Sequence, residues 1–264
     1  PPISSKEIPD LEEGVWYFHI QLKNSYGWGD ISHFRVGIDT SPPDPFTIQV
    51  DNGDDSTNPQ PILKFKASDA LSGVDHYEIK IGEIHNLKVL ANEVENGYYK
   101  IPICPPSKHL VIIRAVDKAG NYSLAIADLE IAPIEEPMII SYPKQLYPAE
   151  PLIIKGKSLP DSLITVFIED ERKEIISDST RSNEDGKWEF VLGKILERGI
   201  YRVSAQTTDH RGAKSNLSEK VKIIISPPVF LKIGSVVIDY LSVIITLFAL
   251  IILMALVWLY GWKR

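Results

Sequence analysis

The sequence predicts an all-β chain: tandem β-sandwiches followed by a single transmembrane α-helix. Three observations carry that prediction. An alternating apolar run ending in an Asp- or Asn-x-x-Gly turn occurs three times, proline clusters recur at the same spacing, and one long uncharged apolar run lies near the C-terminus. Alternation with period two places one face of a strand on a core and the other in water, as in antiparallel sheet.

The three turns are Asn24-Ser25-Tyr26-Gly27, Asp117-Lys118-Ala119-Gly120 and Asp209-His210-Arg211-Gly212. Phe18, Ile20 and Leu22 precede the first, Val111, Ile113 and Ala115 the second, and Val203, Ala205 and Thr207 the third, always in the same phase. After the turns the phase resumes at Val36 and Ile38, Leu129 and Ile131, then Val221 and Ile223. Gly27 and Gly120 are 93 positions apart and Gly120 and Gly212 are 92, which makes an internal repeat of domain size. Asp or Asn bonds the backbone just ahead of it and glycine accepts positive φ, so each turn reads as a hairpin and not as a metal loop.

Residues 1–41 are expected to hold the last strands of a truncated module, roughly 50–60 residues short of a complete sandwich. With no initiator Met and no signal peptide in view, the chain is expected to be cut from a longer one or processed. Residues 42–133 form the second module, with strands at 63–67, 77–81 and 99–101 before its hairpin. Residues 134–226 form the third, with strands at 152–156, 164–168, 175–177 and 188–192 and a hairpin turn at Asp185-Gly186. Ser41-Pro42-Pro43, the prolines at 133 and 137, and Pro227-Pro228 mark short joints that act as semi-rigid spacers, so a rod is expected.

In the third module, "EPLIIKGKSLPDSLITVFIED" contains Gly156, and Asp185-Gly186-Lys187-Trp188 and Gly199-Ile200-Tyr201 run on through Asp209 and Gly212. This pattern resembles the immunoglobulin-like repeats of bacterial surface proteins. The second module, with "SDALSGVDHYEIKI" and "RAVDKAGNYS", is similar to the immunoglobulin- or fibronectin-III-like repeats of bacterial envelope proteins. "GVWYFHIQLKNSYGWGDISHFRVGIDTSPP" resembles the end of another such module. The resemblance spans nearly all of residues 14–226 and implies the sandwich fold and an extracytoplasmic location. It implies no ligand, because such sandwiches host many functions.

Residues 227–239 are a juxtamembrane segment, read either as a helix in the headgroup zone or as the start of the spanning helix. Residues 240–260 carry no charge, and a helix of that length matches the hydrocarbon thickness of a bilayer. Tyr240 at one end and Trp258, Tyr260 and Trp262 at the other suit the interfacial belts, and Lys263 and Arg264 follow. Residues 261–264 are a short cytoplasmic end: positive charge favours the cytoplasmic side and places the N-terminus outside. Ser242 and Thr246, four apart, could mark a helix-packing face.

The formal charge is −7; Lys232, Asp239, Lys263 and Arg264 sum to +2, leaving −9 on residues 1–226. An acidic body argues against nucleic acid as a partner. The single cysteine, Cys104, excludes an intrachain disulfide and reads as a structural thiol. No phosphate loop, His-Glu-x-x-His, Gly-x-Ser-x-Gly or paired cysteine motif occurs, so no enzyme is expected. His19, His33, His76, His85, His109 and His210 read as scattered, mostly strand residues on solvent faces.

Three weaker candidates remain. Asp51, Asp54 and Asp55 cluster oxygen ligands in one loop, where calcium could stiffen a joint. Tyr26 and Trp28 sit at a hairpin tip where aromatic rings could stack on a sugar. Asn121 and Asn216 open glycosylation sequons. The expected function is a membrane-anchored stalk presenting an N-terminal region, with the bilayer as one partner. The alternatives are an adhesin that binds glycan or a cell-surface protein, and the ectodomain of a single-pass sensor.

Overall fold

A computed structural model describes residues 7–8, 10–94, 96–226, 229–233 and 236–261, in two compact units that divide between Pro133 and Ile134. Unit one begins with β1 (Gly14–Asn24) and β2 (Gly27–Ile38). There follow β3 (Gln49–Asp51), β4 (Ile62–Lys64), β5 (Val74–Ile81), β6 (His85–Leu90), β7 (Tyr98–Lys100), β8 (Ser107–Asp117) and β9 (Tyr122–Ile131). β3, β4 and β7 form one sheet, and β6, β5, β8 and β9 form the other in that order, all antiparallel. The two sheets close an immunoglobulin-like sandwich.

Alternation fills its core. Leu63, Ile79, Ile81, Val111, Ile113 and Ala115 have no exposed surface, while the intervening Glu78, Lys80, Ile112 and Arg114 face outward. The alternating run at 63–67 is only partly ladder: β4 ends at Lys64, yet Phe65 and Ala67 stay buried. Their N–H groups go instead to Gly97 O and the Tyr77 hydroxyl, which frees this segment from strand pairing without exposing it. Cys104 is buried in the same core, and burial pushes its thiol pKa up. His76 and His109, expected on solvent faces, are buried: His76 is held by Asp75, and His109 meets the Pro105 carbonyl.

β1 and β2 form a two-stranded ribbon in which Trp16, Phe18 and Ile20 face Val36, Phe34 and Ser32 on one side. The positions equivalent to the buried Val111, Ile113 and Ala115 are here 38, 46 and 74% exposed at Phe18, Ile20 and Leu22. Among the described residues no second sheet covers this face and no strand bonds the outer edge of β1.

Unit two comprises β10 (Met138–Ser141), β11 (Gln145–Leu146), β12 (Ile153–Lys157), β13 (Leu163–Glu169), β14 (Ile175–Arg181), β15 (Lys187–Val191), β16 (Gly199–Thr208) and β17 (Val221–Ile225). A sheet of order β10-β12-β15 packs on one of order β11-β17-β16-β13-β14. The core contains Ile154, Ile164, Val166, Trp188, Phe190, Tyr201, Val203 and Ile223. Tyr201 donates its hydroxyl to the Glu197 carbonyl at 3.1 Å, fastening the entry of β16 as a tyrosine corner does.

Two expected hairpins take other forms. Gly186 does adopt φ 76, but Asp185 and Gly186 join β14 to β15, which belong to opposite sheets, so the turn is a corner between layers. The pairing of β16 with β17 covers only Gly199 to Val203 against Ile225 to Val221. Beyond it, Ser218 and Ser215 take the place of a partner strand, their hydroxyls accepting from the N–H groups of Ala205 and Thr207 at 2.9 Å each.

The juxtamembrane segment is neither of the two helices expected. β18 (Val229–Ile233) and β19 (Val236–Asp239) pair antiparallel, and α1 (Tyr240–Gly261) begins at once after β19. Val229, Ile233, Val236, Val237 and Ile238 are β-branched and lose side-chain freedom in a helix, whereas the leucine- and alanine-rich run after 240 does not.

Candidate functional site

The densest ionisable cluster in unit one lies where the ribbon meets the sandwich. Asp39 follows β2 directly, Asp69 lies in the loop between β4 and β5, and Asp117 ends β8. One carboxylate oxygen from each lies within 4.8 Å of the others.

Each carboxylate is positioned by its own turn. Asp117 is 2% exposed, and its Oδ1 accepts N–H bonds from Ala119 at 2.8 Å, Gly120 at 2.6 Å and Asn121 at 2.9 Å, with Gly120 at φ 98. Asp69 Oδ1 accepts from Leu71 N–H at 3.2 Å and Gly73 N–H at 2.6 Å. Asp39 Oδ2 accepts from Ser72 N–H at 3.0 Å, so the second segment holds the carboxylate of the first. Asn121 Nδ2 donates both to Asp117 Oδ2 at 2.9 Å and to the Asp39 carbonyl at 3.2 Å. Hydrogen bonding from Ser72 holds Asp39 below its ordinary carboxylate pKa, against the effect of burial.

Three carboxylates from three chain segments form an oxygen set of the kind a hard divalent cation accepts, although calcium takes six to eight oxygens in all. Asp39 and Asp69 were invisible as a pair in the sequence. The signal was the Asp117 turn, which sequence reasoning correctly read as hairpin chemistry and which the fold then brings against two other loops.

The residues singled out from sequence lie elsewhere. Asp51 pairs with Lys64 at 2.6 Å and accepts from Gly53 N–H at 3.0 Å; the Lys64 ammonium holds its carboxyl below the usual range. Asp54 takes φ 60 in the turn, and Asp55 accepts from Thr57 N–H at 2.9 Å and from its hydroxyl at 2.7 Å. These three do not converge as a ligand set among the described residues.

Tyr26 and Trp28 occupy the ribbon tip, 97 and 63% exposed. They project instead of folding back onto the strands. Asn24 Oδ1 caps Tyr26 N–H at 2.8 Å, and the Lys23 ammonium lies 5.2 Å from the centre of the Trp28 ring.

The helix residues Leu241–Trp258 are long and apolar enough to cross a membrane, and none of that stretch is buried against the protein. Tyr240 opens α1, Tyr260 lies near its end, and Trp258 is exposed. Trp262, Lys263 and Arg264 lie outside the described residues, as do Pro227 and Pro228. Thr246 donates back to the Ser242 and Val243 carbonyls at 2.8 and 2.9 Å, so its hydroxyl proton is spent within the helix and not on a neighbour.

No protein-family model matches the chain, and no curated protein does. Solved structures with similar folds include a tetra-tandem repeat from the extending region of a large adhesion protein, at 16% identity and TM-score 0.33, with 82% of this chain and 57% of that one covered. The chain thus spans 57% of the length of that structure. Another is the FN1–FN3 region of chicken CNTN1, at 18% identity and TM-score 0.31, with 80% of this chain and 75% of that one covered. A third concerns host cell surface retention of a 1.5-MDa bacterial ice-binding adhesin, at 13% identity and TM-score 0.24, covering 81% of this chain and 73% of that one.

Proposed function

We propose that this chain is a membrane-anchored surface protein of bacterial type, its immunoglobulin-like sandwiches forming an extracellular stalk and α1 anchoring its base. The observation that carries the reading is the exposed apolar surface of α1 all the way round, following the sandwiches and the β18–β19 pair. A helix apolar on every side is stable where lipid surrounds it. The sandwiches spend their inward residues on their own cores and work as spacers without catalysis. Intact cells treated with protease test this: fragments of unit one and unit two should be released while α1 stays in carbonate-washed membranes. Protection of both units, or full extraction of the chain by carbonate, would refute the proposal.

A second reading is favoured by the ribbon tip. Tyr26 and Trp28 project into solvent, and such aromatic faces suit stacking on a sugar or seating in a partner protein. Under this reading the protein is an adhesin, and Tyr26→Ala with Trp28→Ala abolishes attachment to a glycan or cell panel while leaving the fold intact. A sensor reading has no comparable observation.

Calcium belongs to the proposal as a stiffener, and the carboxylates of Asp39, Asp69 and Asp117 supply a better oxygen set than the 51–55 loop. Millimolar calcium should then raise the melting temperature of unit one, with Asp69→Asn removing the gain; equal shifts in both proteins would exclude this site.

A further inference from the structure

The two faces of the β1–β2 ribbon differ in chemistry. Trp16, Phe18, Ile20, Phe34 and Val36 occupy one face, and the counterparts of its β1 members, Trp16, Phe18 and Ile20, are buried in the other repeats. Tyr17, His19, Gln21, His33 and Arg35 occupy the opposite face, and all five are exposed.

On that open face His19 and His33 are direct partners across the antiparallel pair. Their Nδ1 atoms meet at 2.5 Å, with ring centroids 4.6 Å apart and ring planes at 84°. Both side chains are exposed, and no other polar partner of either ring occurs among the described residues. Tyr17 stacks against His19 at 6.5 Å and 16°, and Gln21 Nε2 donates to the Gly29 carbonyl at 2.8 Å, fixing the strand pair beside the rings.

Two neutral imidazoles with their Nδ1 atoms face to face hold one proton between them, one ring donating its Nδ1–H and the other accepting it. A metal ion in place of that proton takes both lone pairs. Imidazole nitrogen suits zinc and its first-row neighbours, and not calcium or magnesium. Two nitrogens bound to tetrahedral zinc at ~2.05 Å stand about 3.3 Å apart, so the rings need open by less than about 1 Å. Exposed side chains supply that movement by χ rotation without disturbing the ladder.

We propose that His19 and His33 form a two-imidazole binding site for a first-row transition dication such as zinc, on the solvent face of the ribbon. Both ligands coordinate through Nδ1, and water completes the shell. Arg35, two places along β2 on the same face, keeps the affinity moderate by repelling the cation. The site is independent of the stalk reading: it needs only the register of β1 against β2.

The test is zinc chloride titration of the full chain in detergent micelles, by calorimetry and by side-chain ¹⁵N spectra of the imidazoles. The wild type should bind one zinc ion more than His19→Ala/His33→Ala, and each single variant should weaken that site on the order of tenfold, because the second imidazole is delivered intramolecularly. The Nδ1 resonances of His19 and His33 should move while their Nε2 atoms remain protonated; calcium at the same concentration should move neither. Four further histidines supply a common background, so the difference between proteins is the readout. Equal zinc stoichiometry in wild type and double variant would overturn the proposal, as would coordination through Nε2 or a single variant that binds like the wild type. Unchanged backbone amide spectra of the variants separate loss of ligands from loss of fold.

Discussion

Gly156→Ala in β12 should destabilise unit two sharply, and the structure shows why. Gly156 lies between Ile139 of β10 and Trp188 of β15, just before the register of β10 shifts. A methyl group there would stand 2.2 Å from the Met138 carbonyl oxygen, 2.3 Å from Trp188 Cζ2 and 2.4 Å from Cε2. One obstacle is backbone and the other is a ring that is 3% exposed in a packed core, so neither yields like the end of a flexible side chain. Lifting the ring costs the ~1–3 kcal/mol typical of overpacking. Letting β10 withdraw costs about 1 kcal/mol for each ladder bond lost. A penalty of about 3 kcal/mol follows, which in a sandwich of this size lowers Tm by roughly 10–20 °C. The assay is hydrogen exchange by mass spectrometry on peptides spanning β12 and β15, with thermal unfolding of the full chain in detergent. Gly193→Ala is the control: its new Cβ meets nothing within 4 Å. If Gly156→Ala matches that control within about 0.5 kcal/mol, the close approach of ring and backbone does not explain the glycine.

Other outcomes test the remaining contacts. Asp117→Ala leaves the N–H groups of Ala119 and Asn121 without an acceptor and Gly120 with only the Asp117 carbonyl, and should cost unit one about 2–3 kcal/mol, read by thermal melting, with Asp117→Asn recovering part of it. Tyr201→Phe removes the bond to the Glu197 carbonyl and should cost unit two about 1 kcal/mol in urea unfolding; no change would discount the corner. Burial pushes Asp209 up, but Arg211 and the N–H groups of Ala213 and Arg211 outweigh it and hold the folded pKa below the ordinary value. Asp209 therefore contributes stability above the ordinary carboxylate pKa of about 3.9, and that contribution disappears as pH falls through the lower folded value. Asp209→Asn should flatten the acid limb of the unit-two stability curve from about pH 5 downward; an unchanged limb would remove the turn from the account.

The sandwiches were legible in the sequence because alternation and turn chemistry are local. Val111, Ile113 and Ala115 announce their burial by their own spacing, and Gly120 announces its turn. What lay outside reach was pairing between distant segments. Asp185-Gly186 has hairpin composition, yet which sheet receives the next strand depends on how the layers close, and a dipeptide carries no record of that. The same limit hid the carboxylate cluster, where Asp39, Asp69 and Asp117 sit in three separate loops. His19 and His33 read as isolated because their meeting depends on a register that no single strand contains. The 51–55 loop erred the other way: local acid density suggested ligands, but Lys64 from the neighbouring strand takes Asp51 and Thr57 takes Asp55.

One pairing in unit two bears on how the chain carries load. Among the described residues every other strand pair is antiparallel, but β11 lies parallel to β17, Gln145 opposite Ile224 and Leu146 opposite Ile225. Lys144 O and Leu146 O accept from Ile224 N–H and Ser226 N–H at 3.1 and 3.2 Å, adding rungs at both ends. Since β11 and β17 are the first and last strands of this sheet along the chain, tension across the sheet drags them in opposite directions along their length. Parallel rungs under such a pull are sheared together, whereas a hairpin pulled from its open end unzips rung by rung. The few bonds joining the first strand of this sheet to the last act as a mechanical clasp, loaded in shear when the sheet is stretched along the chain.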